Sequence, residues 1–151
     1  MLAGDERLGE VSDNGEGMME RILGPYSPYL YAVLRIVVGF LFACHGAQKL
    51  FGVLGGLGAS GEIAPLLSLM GLAGLIEFFG GLLIMVGWLT GYVAFIASGQ
   101  MAAAYFMAHY PRGFWPILNN GEPAVLFCFI FLYMASKGGG VWSIDQTISK
   151  S

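Results

Sequence analysis

The sequence predicts an all-α integral membrane protein, an antiparallel four-helix bundle preceded by a disordered acidic N-terminal tail. Of its 151 residues, 56% are hydrophobic and only 11% are charged, and the mean hydropathy is +0.70. A soluble domain carries roughly 25% charged residues because water must wet its surface. Eight of the charged residues precede residue 22. The remaining chain lacks the charge to cover a water-facing surface, so we expect lipid to surround it.

The first 27 residues form the predicted tail. They hold six acidic residues against Arg7 and Arg21, and almost no aromatic or β-branched residue before Ile22. Such a segment offers little apolar surface to offset the loss of chain entropy on folding. We therefore expect residues 1–27 to be a disordered cytoplasmic tail, 28–140 to be the transmembrane domain, and 141–151 to be a C-terminal tail.

Four apolar segments predict the four helices. The first, 29–50, and the second, 65–89, are long enough to cross a hydrocarbon core, which takes roughly 20 helical residues. The third, 91–108, carries no charged residue. The fourth, 123–136, would be only about 21 Å long as a helix. It would need Glu122 and a snorkelling Lys137 to reach both membrane surfaces.

The connections between these segments are short, as in antiparallel bundles. Residues 51–61 are rich in glycine and predict a flexible loop or a re-entrant turn, and a tight turn is expected near Thr90. Residues 110–121 are rich in aromatic side chains, which favour the membrane surface. Glycines within and beside the apolar segments indicate closely packed helices.

Basic residues near the segment ends predict the orientation, because cytoplasmic loops are enriched in Lys and Arg. Four spans place both termini on one side of the membrane. That side has four basic residues and the other has two: Arg7, Arg21, Lys137 and Lys150 against Lys49 and Arg112. We expect both termini to be cytoplasmic.

Several function classes are excluded by what the sequence lacks. The net charge is −3 and no cluster of basic residues is present, which argues against a nucleic-acid partner. Cys44 and Cys128 are too few for a disulfide scaffold and lack the spacing of a metal or thioredoxin motif. The sequence has no phosphate-binding loop, dinucleotide fingerprint or zinc-protease motif, so a self-contained hydrolase or kinase is not expected. No metal site is predicted.

Arg35, Glu77 and Gln100 form the first predicted polar layer, because charged residues inside a span are costly without partners. Depths counted along the helices place Arg35 within reach of Glu77. We predict an intramembrane ion pair between them that holds the helix register, with Gln100 as a polar neighbour. A proton-transfer or substrate site at the same residues remains an alternative.

The second polar layer is expected at the opposite, extracytoplasmic boundary. His45 and Lys49 lie one helical turn apart, His109 ends the third segment and Glu122 opens the fourth. Together they are candidates for a pocket that binds a quinone or another substrate, since His and Lys can donate hydrogen bonds and protons to quinone oxygens. The alternative is that they are ordinary residues of the wetted membrane surface.

Two other redox arrangements are less favoured. His45 and His109 could ligate a b-type haem, but both are expected near a membrane surface rather than in the middle of a span. Cys44 and Cys128 fall at similar depth, which would permit a redox pair if the first and fourth helices adjoin. Cysteines in apolar helices are more often small buried side chains.

Several short motifs follow one another in a characteristic order along residues 28–140. They include Leu34-Arg35-Ile36, His45-Gly46-Ala47-Gln48-Lys49, Glu77-Phe78-Phe79-Gly80-Gly81, His109-Tyr110-Pro111-Arg112-Gly113 and Gly121-Glu122. This set resembles the DoxX family, named after a membrane subunit of a thiosulfate:quinone oxidoreductase. The resemblance implies a multi-pass protein of a bacterial or archaeal cytoplasmic membrane, linked to sulfur or oxidative-stress redox chemistry.

The resemblance and the second polar layer together predict a quinone-interacting membrane subunit. It would pass electrons to the quinone pool from a soluble or peripheral partner, an oxidoreductase or a sulfurtransferase, and it is compatible with a homo-oligomer. Two alternatives stay open: a non-catalytic scaffold that recruits soluble redox enzymes, and a small-molecule carrier.

Overall fold

A computed structural model describes residues 17–58 and 61–150 of the chain. These residues form helices and loops, with no strand and a single isolated bridge between Leu57 and Glu62. The all-α class is therefore confirmed. The long helices of this part are α2 (Ser27–Phe51), α3 (Leu69–Val86), α4 (Thr90–Ala104) and α6 (Glu122–Lys137), and the short ones are α1 (Met18–Leu23), α5 (Pro116–Asn119) and α7 (Ile144–Ser149).

Helix α1 occupies the last part of the predicted disordered tail, while residues 1–16 lie outside the described residues. The N–H of Gly17 donates to Oε2 of Glu20 at 2.9 Å, which closes the first turn of the helix. A 3₁₀ turn, Gly24–Tyr26, then leads into α2. The apolar side chains of α1 are exposed, Met18 by 75%. This helix was not predicted because residues 1–27 are acidic as a whole and its apolar run is short.

Helices α2 and α3 pack antiparallel along a seam of glycines. A Cβ atom added at Gly46 would lie 2.7 Å from the carbonyl oxygen of Gly74, and one added at Gly81 would lie 2.6 Å from that of Gly39. Such distances leave no space for a side chain on either helix. The seam therefore depends on glycine, as in closely packed membrane helices.

Helices α4 and α6 form a second antiparallel pair. The Ser98 hydroxyl of α4 donates to the carbonyl oxygen of Cys128 in α6 at 2.8 Å. The two pairs meet at aromatic side chains: the rings of Phe42 in α2 and Phe131 in α6 have centroids 4.6 Å apart, and both residues are buried. The core therefore lies between the two helix pairs.

One end of the molecule, the turn end, contains the α3–α4 turn, the start of α2 and residues 138–145. Arg35 is fully buried there. One of its Nη atoms donates to the carbonyl oxygens of Ile84 and Met85 at 2.8 and 2.7 Å, and the other donates to that of Trp142 at 2.7 Å. These carbonyls include two from the last turn of α3, where a helix runs out of its own N–H donors; the Ile84 carbonyl also accepts from the N–H of Gly87 at 3.1 Å. Arg35 therefore joins three parts of the chain.

Asp145 fixes the start of α4 at the same end. Its two carboxylate oxygens accept from the N–H groups of Leu89 and Thr90 at 2.7 and 2.9 Å, and its own N–H donates to the Gly87 carbonyl at 2.9 Å. Burial raises the pKa of this carboxyl, but those N–H groups and the nearby charge of Arg35 outweigh burial and bring its pKa below the ordinary value. Residues 138–145, the C-terminal clasp, thus form part of the folded structure.

The surfaces of the long helices are apolar. Two helical segments of the described chain, Met18–Phe51 and Leu69–Val86, are long and apolar enough to cross a membrane. Only 39% and 33% of their most apolar windows are buried inside the protein, whereas the core helix of a soluble protein is mostly buried. The segments α4 and α6 are shorter, with 15 and 16 residues, and a five-residue π turn, Tyr105–His109, extends α4.

Candidate functional site

A cavity of about 640 Å³ lies at the end of the molecule opposite the turn end, which we call the cavity end. Its walls come from all four long helices and are mostly apolar. The polar residues among its lining are His45, Lys49, Glu77, Gln100 and His109. Pockets of this size and character typically bind small organic molecules.

Glu77 is the centre of a polar cluster on the cavity wall. Its side chain forms an ion pair with Lys49 through Oε2, and its Oε1 accepts from Nε2 of Gln100 at 2.9 Å. Glu77 is 2% exposed. Oε1 of Gln100 is buried with no hydrogen-bond partner in the described part of the chain. The cluster neutralises a buried carboxylate with side chains from two other helices, as an apolar environment requires.

The register of α2 against α3 brings Lys49 and Glu77 together. Gly46 of α2 packs against the backbone of Gly74 and Phe78 in α3, which sets Glu77 opposite the last two turns of α2. Lys49 follows Gly46 by about one turn. Its ammonium also lies near the C-terminus of α2, where the helix dipole favours a positive charge.

The predicted ion pair between Arg35 and Glu77 is wrong. The structure binds Arg35 to backbone carbonyls at the turn end and pairs Glu77 with Lys49 at the cavity end. Glu77 lies at the same height along the molecule as His45. His45 follows Arg35 by ten residues on α2, so about 15 Å of helix separates Glu77 from the level of Arg35. Depths counted from assumed span ends missed this offset. The prediction that Gln100 is a polar neighbour of Glu77 does agree with the structure.

His109 reaches the cavity at the end of the π turn. Its Nδ1 lies 3.1 Å from the carbonyl oxygen of Asn119, which can only accept, and 3.4 Å from an Nη atom of Arg112, which can only donate. The Tyr105 ring is roughly parallel to the imidazole, with centroids 6.5 Å apart. A π turn at such a position is a common feature of functional sites.

His45 lines the same cavity from α2. Its ring contacts Phe127 of α6 edge-on, with centroids 5.9 Å apart. Three of the four residues predicted to form a pocket, His45, Lys49 and His109, therefore line one cavity. Glu122 is exposed at the first residue of α6 and is not among the lining residues. Its carboxylate complements a helix N-terminus instead.

The two cysteines are free thiols, Cys44 on α2 and Cys128 on α6. Sγ of Cys128 lies 3.6 Å from the Ser98 hydroxyl. The redox pair considered as an alternative is not formed in this structure. Both residues are partly buried, as small side chains in apolar helices usually are.

Sequence reasoning missed Asn119, which is 1% exposed. Its Nδ2 donates to the Gly113 carbonyl at 2.6 Å, and its Oδ1 accepts from the N–H of Gly121 at 2.8 Å. These bonds fold the connection between α4 and α6, so that the Asn119 carbonyl meets His109. The Asn119-Asn120-Gly121 sequence is typical of a turn, and Asn120 adopts a left-handed φ of 59°. That signal could have identified the turn, but not the contact with His109.

An ion pair and two histidines around a cavity, between helices with apolar outer surfaces, define a helical membrane protein with an internal polar site. The family model of DoxX matches residues 30–110, and the chain belongs to the DoxX family. The matched range includes all five polar residues of the cavity. Glu122 and the C-terminal clasp lie outside it.

Two relatives cover most of the chain. An uncharacterized protein of Haemophilus influenzae is 41% identical over 135 residues, which are 85% of this chain and 97% of that protein. The inner membrane protein YqjF of Escherichia coli K12 is 30% identical over 132 residues, which are 78% of this chain and 91% of that protein. No solved structure matches the chain.

Proposed function

We propose that the protein is the quinone-binding membrane subunit of a redox system. The observation that carries this proposal is the cavity, which joins the Lys49–Glu77–Gln100 cluster and two histidines to apolar walls. The DoxX family is associated with membrane redox systems, which supports the choice of a quinone over other small amphiphiles. An associated soluble or peripheral enzyme, an oxidoreductase or a sulfurtransferase, supplies the electrons.

The cavity fits the chemistry of a quinone head group. A quinone has two carbonyl oxygens that accept hydrogen bonds, and a largely apolar ring. The Lys49 ammonium and the second N–H of Gln100 are donors on the cavity wall, and each hydrogen bond would contribute about 1 kcal/mol. The apolar walls supply the remaining affinity at about 25 cal/mol per Å² of buried surface. The polar groups therefore orient the ring more than they hold it.

Reduction to the quinol needs two electrons and two protons, which form two O–H bonds. In this proposal the partner enzyme delivers both electrons. Lys49 as the ammonium and His45 as the imidazolium donate one proton each to the two oxygens, become the neutral amine and imidazole, and each regain a proton from the aqueous phase at the membrane surface. Glu77 stabilises the charged form of Lys49 between turnovers, because the carboxylate is buried and needs a cationic partner.

The membrane topology of this proposal has four spans, α2, α3, α4 with its π turn, and α6, and both termini are in the cytoplasm of a bacterium. It is supported by the apolar outer surfaces of the helices and by the basic residues near the termini. The cavity then lies near the periplasmic boundary. Alkaline phosphatase fused after residue 118 should be active, and fusions after residues 90 and 151 should be inactive. An active fusion after residue 151 would contradict this orientation.

Quinone binding is tested with the purified protein in lipid nanodiscs. We expect saturable binding of a ubiquinone or menaquinone analogue, weakened at least about tenfold, or 1.4 kcal/mol, by Lys49→Met or His45→Ala. Lys137→Met is the matched control, since Lys137 is the last residue of α6 at the other end of the bundle. Equal affinity in Lys49→Met and the control would contradict the proposed site.

The same preparation separates the alternatives. Absence of quinone binding, together with recruitment of a soluble redox enzyme by wild type and Lys49→Met alike, would favour the non-catalytic scaffold. Absence of both, with uptake of a solute into proteoliposomes, would favour the small-molecule carrier. A Soret absorption band in the purified protein would instead assign the two histidines to haem.

A further inference from the structure

We propose that the cavity opens sideways into the bilayer, through a portal between α3 and α4, and that its ligand carries a long apolar chain that lies in this portal. The inference rests on the proposed function and deepens it, because it states the class of ligand and its route. The Lys49–Glu77–Gln100 cluster would contact the head group of the ligand, while the apolar chain of the ligand remains among apolar side chains and lipid.

The portal arises because α3 and α4 diverge from their shared turn. Near the turn the two helices touch, since a Cβ atom added at Gly80 would lie 3.4 Å from Cγ1 of Val93. About one helical turn further along α3 from the α3–α4 turn, a side-chain hydrogen bond from Gln100 to Glu77 at 2.9 Å joins the two helices. Beyond that bond, both helices contribute side chains to the cavity wall.

Exposure changes steeply along this opening. At the outer part of the cavity, Leu69 is 71% exposed, Leu72 is 52% exposed and Met107 is 63% exposed. At the inner part, Glu77 is 2% exposed. Eight residues separate Leu69 from Glu77 on α3, which is about 12 Å of helix. The cavity therefore runs from an apolar surface to a buried carboxylate.

The chemistry of the opening selects the ligand. The residues that α3 and α4 contribute beyond the Gln100–Glu77 bond are Leu, Met, Ile and Ala until His109 is reached. A polar solute that enters there would lose hydration without gaining hydrogen bonds, which costs several kcal/mol. An apolar chain gains free energy in the same place. The portal therefore favours a lipid-soluble amphiphile over a water-soluble solute.

Ala103 is the position at which the portal can be closed. It lies on α4, lines the cavity and is exposed, so a larger side chain can be accommodated at the surface without displacing the core. Ala103→Trp would narrow the opening and leave the polar cluster unchanged. Leu126→Trp is the matched control, because Leu126 is 56% exposed on α6 and does not line the cavity.

The test compares two probes with the same head group in nanodiscs, decylubiquinone and the tail-less 2,3-dimethoxy-5-methyl-1,4-benzoquinone. Quinone concentrations are expressed per lipid molecule in the nanodisc, so that partition of the probe into the bilayer does not enter the comparison of affinities. We expect wild type to bind decylubiquinone at least about tenfold more tightly than the tail-less quinone. Ala103→Trp should lower the affinity for decylubiquinone at least about tenfold and change that for the tail-less quinone less than about twofold. Leu126→Trp should change neither affinity.

Three outcomes are decisive. Unchanged decylubiquinone affinity in Ala103→Trp, or an equal loss for both probes, would overturn the portal. Binding of neither probe by wild type would instead overturn the proposed function. If Ala103→Trp does not fold, Met107→Trp carries the same expectation, because it replaces a side chain that is already long and exposed at the opening.

Discussion

The two ends of the molecule each hold a basic residue of α2, but they stabilise its charge with different partners. At the turn end, Arg35 is fully buried and its bonds go to backbone carbonyls of α3 and the C-terminal clasp. At the cavity end, Lys49 pairs with the Glu77 side chain beside a cavity. Backbone carbonyls cannot move without unfolding a helix end, whereas a carboxylate can change its partner by rotating.

This difference separates a cation held by backbone carbonyls from a cation that borders the cavity. The guanidinium of Arg35 remains charged at any pH that proteins encounter, and its planar fork suits several carbonyls at once. Lys49 carries a single ammonium group on a flexible stem, which suits one point-charge partner such as the Glu77 carboxylate. The same helix thus places one cation among backbone carbonyls at the turn end and another beside a carboxylate on the cavity wall.

The largest expected effect is at the turn end. Arg35→Met keeps much of the side-chain volume and removes the donors to Ile84, Met85 and Trp142. We expect the free energy of unfolding to fall by at least about 3 kcal/mol, because those buried carbonyls lose charged hydrogen-bond partners. Unfolding in mixed micelles measures it. Arg112→Met, which removes an exposed arginine bonded to the Ala108 carbonyl, should cost less than about 0.5 kcal/mol. Equal losses in the two variants would remove the distinction between the ends.

The cavity end should show coupling between Lys49 and Glu77. We expect Lys49→Met and Glu77→Gln each to lower the free energy of unfolding by about 2 kcal/mol, because each leaves a partner unpaired. The double variant should lose less than the sum by at least about 1 kcal/mol. A double-mutant cycle in micelles measures this coupling.

A second cycle supplies the control. Arg35→Met and Glu77→Gln should add to within about 0.5 kcal/mol, because their side chains share no partner. Coupling in that cycle, with additivity for Lys49 and Glu77, would restore the pairing that the sequence predicted and would contradict the structure.

The smallest expected effect is the pH dependence of the clasp. The folded-state pKa of Asp145 is below its ordinary value, so its stabilisation is present above the unfolded pKa of about 3.9 and is lost as pH falls through the folded value. Asp145→Asn should cost about 0.5 to 1 kcal/mol at pH 7, as for a helix N-cap in a partly exposed position. The difference from wild type should shrink below about pH 4. Thermal unfolding at pH 7, 4 and 3 measures it, and parallel curves would refute the role of the Asp145 charge.

Much of the site could be identified in advance, but its pairing could not. Polar residues within apolar segments need hydrogen-bond or ionic partners in a membrane. This criterion identifies all the polar residues of the cavity as candidates: His45, Lys49, Glu77, Gln100 and His109. Run lengths locate a helix to within a few residues, but a slip of two turns between neighbouring helices changes every partner. The glycines contained a usable signal: Gly39 and Gly46 are seven residues apart, as are Gly74 and Gly81, and these are the residues that meet in the α2–α3 seam.

The amino-acid sequence was sufficient for the all-α class, the four apolar segments and the chemical types in the polar layers, because hydrophobicity and helical period are local properties of a chain. Only tertiary packing decided which partners Arg35 and Glu77 have. It also decided that Glu122 lies outside the cavity lining and that the predicted C-terminal tail contributes to a clasp. Arg35 binds the carbonyl oxygen of Trp142, 107 residues away, and a backbone carbonyl has the same chemistry at every residue. Only packing selects which carbonyls an arginine meets.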